Sequence, residues 1–128
     1  MSAKKILTID DDPFYEKLYQ DIFSMQGFEV KHAFNAADGL KLIKSFKPDL
    51  VTLDVMMPEK DNVMDGFEFL KQLKACDEDC RHVPIIMISA LSEPSDIRQA
   101  SELGVTHYIP KQNLTPHFLL DEVRQILK

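Results

Sequence analysis

The sequence predicts an α/β domain, a doubly wound five-stranded parallel sheet with five helices on its two faces. Three observations carry that prediction. Short apolar runs alternate with helix-period segments five times along 128 residues. The connections between them are short, and capping or breaking residues mark most of the boundaries.

The elements follow in order. "KILTI" (Lys5–Ile9) reads as a buried strand that stops at "DDDP". Asp12 caps a helix with Pro13 in its first turn, and Phe14, Leu18, Ile22 and Met25 share one face up to Gly27. "FEVKHA" (Phe28–Ala33) alternates with a two-residue period, as a strand with one wetter face does. Asn35 and Asp38 pair as cap and acid for a helix through Leu40 and Ile43 to about Phe46. After Pro48, "DLVTLD" supplies the third strand. Asp65 and Glu68 repeat the cap-and-acid pattern for a helix through Leu70 and Leu73. "VPIIMIS" (Val83–Ser89) is the fourth strand, with Pro84 where a missing N–H does least harm. A helix from about Pro94 to Leu103 stops at Gly104. "THYIPK" (Thr106–Lys111) forms the fifth strand, and Thr115–Pro116 starts a last amphipathic helix with Leu119, Val123, Ile126 and Leu127.

Composition narrows the function. Hydrophobic residues make up 45% and charged ones 28%, the balance of an ordinary soluble globular chain. The reading expects one domain over residues 1–128, with no output domain in the chain. A net charge of −6 and a pI near 5.1 argue against direct contact with nucleic acid. No segment is long and apolar enough for a membrane span or a secretory leader, so the expected location is cytoplasmic. Cys76 and Cys80 have no ligand partners at zinc-like spacing, and free thiols are expected.

In an open parallel sheet, sites form at the carboxyl ends of strands beside the topological switch point. The flavodoxin-like order 2-1-3-4-5 sets that point between the first and third strands. The first strand ends in Asp10 and Asp11, the third in Asp54, the fourth in Ser89 and the fifth in Lys111. Clustered carboxylates repel unless a cation is present, and such oxygen ligands suit Mg²⁺. A carboxylate can then act as nucleophile toward phosphorus and form an aspartyl phosphate. Lysine and serine supply the charge and hydrogen bond that dominate phosphoryl transfer. Singly, each residue has a plainer role: a strand-end acid, a helix cap, a surface lysine, a turn serine. Four matching strand ends together favour the chemistry.

"ILTIDDDP", "LVTLDVMMP", "PIIMISA" and "GVTHYIPK" resemble, in order and spacing, the signature segments of receiver domains of two-component response regulators, the CheY-like family. The resemblance implies that Asp54 is the phosphoacceptor, loaded from a sensor histidine kinase or a histidine phosphotransfer protein. It implies that Asp11 ligates Mg²⁺ directly and Asp10 through water, with the backbone carbonyl of Met56 as a further ligand. Ser89 and Tyr108 take the hydroxyl and aromatic switch positions, and Lys111 contacts the phosphoryl group. Downstream proteins would read the face of the fourth helix, fifth strand and fifth helix.

The sequence departs from that family in places. Gln112 follows Lys111 where a proline is usual, which points to a trans bond with a shifted loop or a strained cis one. "EKDNVM" (Glu59–Met64) is longer than the usual connection and reads as a tolerated surface insertion, with a partner contact as the alternative. Met56 and Leu91 are apolar where an attacking water would approach, so slow loss of the phosphoryl group is expected. The four histidines are scattered and carry no assigned role. Two rival functions remain: a receiver-like interaction module that no longer cycles phosphate, and a haloacid-dehalogenase-like phosphatase using Asp10 with Asp12. The second lacks a later acidic pair. A flavin site is disfavoured by the acidic first loop, which would repel a phosphate.

Overall fold

The computed structural model describes residues 3–55, 66–76, 82–91 and 93–128. Its elements are β1 (Lys5–Ile9), α1 (Pro13–Ser24), β2 (Glu29–Ala33), α2 (Ala36–Phe46), β3 (Leu50–Leu53), α3 (Gly66–Lys74), β4 (Ile85–Ser89), α4 (Pro94–Glu102), β5 (His107–Pro110) and α5 (Pro116–Ile126). A single 3-10 turn, Lys111–Asn113, joins the last two. The strands form one parallel sheet in the order β2-β1-β3-β4-β5. β1 spans the whole of its apolar run, and the other four strands are one or two residues shorter than theirs, because the terminal residues of those runs join the adjoining turns.

Local chemistry sets the helix starts. Asp12 Oδ1 accepts from Phe14 N at 2.9 Å, Asn35 Oδ1 from Asp38 N at 2.8 Å, and Thr115 Oγ1 from Phe118 N at 3.1 Å. Each satisfies a backbone donor that the first helical turn leaves orphaned. Pro13, Pro94 and Pro116 occupy first-turn positions, where no N–H is needed. Asp65, the expected cap of α3, lies outside the described residues.

Two cores flank the sheet, and the two-residue strand period divides the side chains between them. Leu7, Ile9, Val51, Leu53 and Met87 pack toward α2, α3 and α4. Ile6, Leu50, Ile86, Ile88 and Ile109 pack toward α1 and α5. The buried face of α1 differs from the expected one. Tyr19, Ile22 and Phe23 are buried, while Phe14 is 65% and Met25 81% exposed. Two apolar stripes overlap on this helix, and the sheet takes the one with the larger rings, each worth several kcal/mol when buried.

Cys76 is disulfide-bonded, against the expectation of free thiols; the chain's other cysteine, Cys80, lies outside the described residues. Among the described residues no peptide bond is cis, and no helix is long and apolar enough to cross a membrane. Lys111 is therefore followed by a trans bond, the first of the two expected geometries.

Candidate functional site

The site begins where β1 and β3 leave the sheet. Asp10 N–H continues the ladder to Ala33 O at 3.1 Å, and Asp54 N–H donates to Ile9 O at 3.0 Å. These bonds fix both backbones at the last rung, while the chain turns toward α1 on one face and toward α3 on the other. The crevice opened by that divergence holds the carboxylates. Asp10 is 1% and Asp54 3% exposed, whereas Asp11 faces solvent. One oxygen from each of the three acids lies within 4.8 Å of the others.

Lys111 reaches this cluster from the turn after β5. Its ammonium is 3.0 Å from Asp10 Oδ2, 3.1 Å from Asp54 Oδ2 and 3.9 Å from the centroid of the Tyr15 ring. Burial works against the Lys111 charge, but its close contact with Asp10 and the charges of Asp54 and Asp10 outweigh that, so its pKa is raised. Burial and the neighbouring Asp10 charge push the Asp11 carboxyl upward. Beneath them Tyr19 is driven far above the ordinary phenol range by burial and by the charges of Asp10 and Asp54. One ammonium thus faces three carboxylates.

A hard divalent cation fits this imbalance. Asp10 Oδ2 is buried and forms no well-directed hydrogen bond, leaving the Lys111 ammonium at 3.0 Å as its ion-pair partner. A buried carboxylate oxygen so placed, beside two more carboxylates and among oxygen donors only, matches what Mg²⁺ takes. The Met56 carbonyl, the fourth expected ligand, lies outside the described residues, as does the Glu59–Met64 segment.

Asp10 is held from every side. Its Oδ1 accepts from Asp12 N at 2.9 Å. Its carbonyl lies 2.9 Å from His32 Nε2, whose other ring nitrogen is 2.6 Å from Thr8 Oγ1. A carbonyl only accepts, so Nε2 carries the proton and Nδ1 accepts from Thr8. Burial lowers the His32 pKa; its bond to Asp10 and the charges of Glu16 and Asp10 oppose this without reversing it. Thr8 and His32 are register partners across β1 and β2. The sequence reading left His32 without a role, and only this register could have supplied one. Tyr15 was missed too, because its contact with Lys111 spans the length of the chain.

Gly66 allows α3 to start against the end of β3. A Cβ there would stand 2.6 Å from Asp54 O and 2.7 Å from Val55 Cα. The Gly66 N–H donates instead to Val55 O at 3.0 Å. Close backbone approach, not turn conformation, makes glycine fit at this position.

Ser89 and Tyr108, the expected switch positions, meet on Leu91. Ser89 is fully buried, and its Oγ accepts from Leu91 N at 3.2 Å. The Tyr108 hydroxyl donates to Leu91 O at 2.6 Å. Burial raises the Tyr108 pKa, its interaction with Ser89 lowers it, and Asp96 and Asp54 add to the rise. So Asp10, Asp11, Asp54 and Lys111 form one cluster, and Ser89 and Tyr108 are joined through Leu91.

Known proteins resemble the chain over most of its length. Residues 6–124 match the family described as the response regulator receiver domain. The chain is 33% identical to sporulation initiation phosphotransferase F of Bacillus subtilis over 128 residues, covering all of this chain and 94% of that one. It is 39% identical over 110 residues to chemotaxis protein CheY of the same organism, covering 85% and 86%. Among solved structures, chemotaxis protein CheY4 of Vibrio cholerae superposes with a TM-score of 0.87 at 25% identity, over 98% of this chain and 99% of that one.

Proposed function

Because the chain belongs to the response regulator receiver domain family, the signalling domains of two-component systems, we propose that Asp54 is its phosphoacceptor. The phosphoryl group would come from a phosphohistidine on a partner kinase or phosphotransfer protein. One observation carries the reading: a carboxylate 3% exposed at the end of β3, with an ammonium at 3.1 Å and two further acids beside it.

In the proposed step an Asp54 oxygen attacks phosphorus as the bond from phosphorus to the imidazole nitrogen of the donor breaks. The electron pair of that bond stays on the imidazole, and the phosphoryl group becomes an acyl phosphate on Asp54. Lys111 stays paired with the negative charge as it passes from the carboxylate to the phosphoryl oxygens, an electrostatic role. Mg²⁺, held by Asp10, Asp11, Asp54 and the Met56 carbonyl, would supply charge neutralisation and alignment of the phosphoryl oxygens. Asp10 stays in register because its N–H, its carbonyl and one carboxylate oxygen are each tied to the protein. Later attack by water on phosphorus would return Asp54 and release phosphate.

The readout would pass through Leu91. A phosphoryl oxygen that draws the Ser89 hydroxyl toward it takes away the acceptor of Leu91 N. The same peptide segment carries the acceptor of the Tyr108 hydroxyl, so the two side chains shift together. The surface of α4, β5 and α5 would then change its populated packing, with no change of fold, and a protein target would read it.

Intact mass after incubation with acetyl phosphate and Mg²⁺ tests the reading. The wild type gains one phosphoryl group and Asp54→Asn gains none. Absence of an adduct on folded wild type favours a module that does not cycle phosphate. An adduct kept by Asp54→Asn and lost in Asp10→Asn favours phosphatase-like chemistry.

A further inference from the structure

The Lys111 ammonium has three close neighbours, and phosphoryl transfer at Asp54, together with the cation it calls for, changes the charge on two of them. The Asp54 carboxylate becomes an acyl phosphate, so its negative charge moves outward to the phosphoryl oxygens. Asp10 belongs to the acidic cluster and shares its charge with whatever cation that cluster takes. The third neighbour, the face of the Tyr15 ring at 3.9 Å, is the same before and after the transfer.

That ring is well placed to hold a cation. Attraction between an ammonium and an aromatic face acts within about 6 Å of the centroid and strengthens as water is excluded. The Lys111 side chain is 16% exposed, so little water competes. Tyr15 is itself steadied, with its centroid 5.1 Å from Phe14 in an edge contact and 5.8 Å from Tyr19. Tyr19 in turn lies 6.4 Å from Phe23 in a stacked pair, and both are buried. An aromatic row therefore runs from the core to the ammonium. A lysine has four flexible side-chain bonds, and two carboxylates alone leave it free to follow whichever keeps its charge.

We propose that Tyr15 is a positioning residue for phosphoryl transfer, its ring face holding the Lys111 ammonium beside Asp54 while the charges around it change. The inference rests on the reading of Asp54 as acceptor. It assigns nothing to the Tyr15 hydroxyl, so phenylalanine should serve as well and leucine should not.

The test follows phosphoryl uptake from acetyl phosphate by intact mass at saturating donor and Mg²⁺, for wild type, Tyr15→Phe and Tyr15→Leu. Each is also made in a Lys111→Ala background. Tyr15→Leu should be about fivefold slower, equivalent to ~1 kcal/mol, and Tyr15→Phe within about twofold of wild type. In the Lys111→Ala background Leu and Tyr should be equal. In metal-free protein, NMR should show the Lys111 ε-methylene protons shifted upfield by the ring in wild type and Tyr15→Phe, and not in Tyr15→Leu. Should Tyr15→Leu fail to fold, Tyr15→Met takes its place with the same expectations.

Three results would overturn the inference: a folded Leu or Met variant as fast as wild type, a Phe variant as slow as Leu, or a loss that persists without Lys111. A wild type that takes no phosphoryl group removes the reading of Asp54 and this inference together. Normal uptake by wild type with equal rates in all variants removes the inference alone.

Discussion

The two ends of the sheet treat their polar residues in opposite ways. At the carboxyl end Asp10, Asp54 and Ser89 are buried, and the Lys111 ammonium is drawn into contact with two of them. At the amino end a cavity of about 540 Å³ opens between Lys74, His82, Pro84, Thr106, His107 and Gln125. It lies where α3, α4 and α5 finish, and its groups are half-buried or exposed. His107 Nδ1 does approach Glu122 Oε2 at 2.7 Å, with the histidine side chain 37% and the glutamate 16% exposed. Among the described residues no carboxylate lines that cavity. Burying charge costs several kcal/mol unless it is compensated, so a cluster of buried carboxylates is a stronger sign of function than volume.

The comparison breaks most readily at the lysines. Lys111→Ala should slow phosphoryl uptake from acetyl phosphate about 100-fold, the usual loss for one preorganised donor to a transferring group. Lys74→Ala, at the amino end, should stay within about twofold, as surface substitutions do. A time course of intact mass for both variants checks the pair, and equal losses would erase the distinction between the ends.

The acids sharpen it next. At 100 times its dissociation constant Mg²⁺ should stabilise the wild type by about 2.7 kcal/mol, read as a shift in the urea midpoint. Asp11→Asn should lose most of that gain while folding normally without metal, since Asp11 is exposed and Asp10 and Asp54 keep their backbone bonds. Chelation should halt uptake. A metal effect of the same size in Asp11→Asn would move the cation to another place.

The smallest effect concerns the residue linking Ser89 to Tyr108. Leu91 has an apolar side chain that cannot orient an attacking water. Leu91→Gln should shorten the lifetime of the phosphoryl group several-fold, well below the ~100-fold a placed general base supplies. Decay of the phosphorylated mass after removal of donor reads it, and an unchanged lifetime places the controlling group elsewhere.

What was legible in the sequence follows from what is local. Strands, helices and caps are set by neighbours within a few residues, so Asp12, Asn35 and Thr115 marked their helices correctly. The gathering of Asp10, Asp11, Asp54 and Lys111 was readable too, because a parallel order brings the carboxyl ends together whatever the details of packing. The buried face of α1 was not, since Phe14 and Met25 point well away around the helix from Tyr19 and Phe23, both sets adjoin Ile22, and the sheet makes the choice. His32 acquires its role from being opposite Thr8 in the ladder, and Tyr15 from a lysine 96 positions later, 111 − 15. Neither relation has a signature in spacing. The disulfide at Cys76 also went against the compartment argument, which weighs chemistry in the cell rather than geometry in the chain.

The most direct measurement is to fix the acceptor chemically. Wild type treated with acetyl phosphate and Mg²⁺, then reduced with borohydride, converts an aspartyl phosphate to homoserine at the residue that carried it. Peptide mass spectrometry should find homoserine at position 54 and intact aspartate at positions 10, 11 and 12. Homoserine at position 10 would contradict the account.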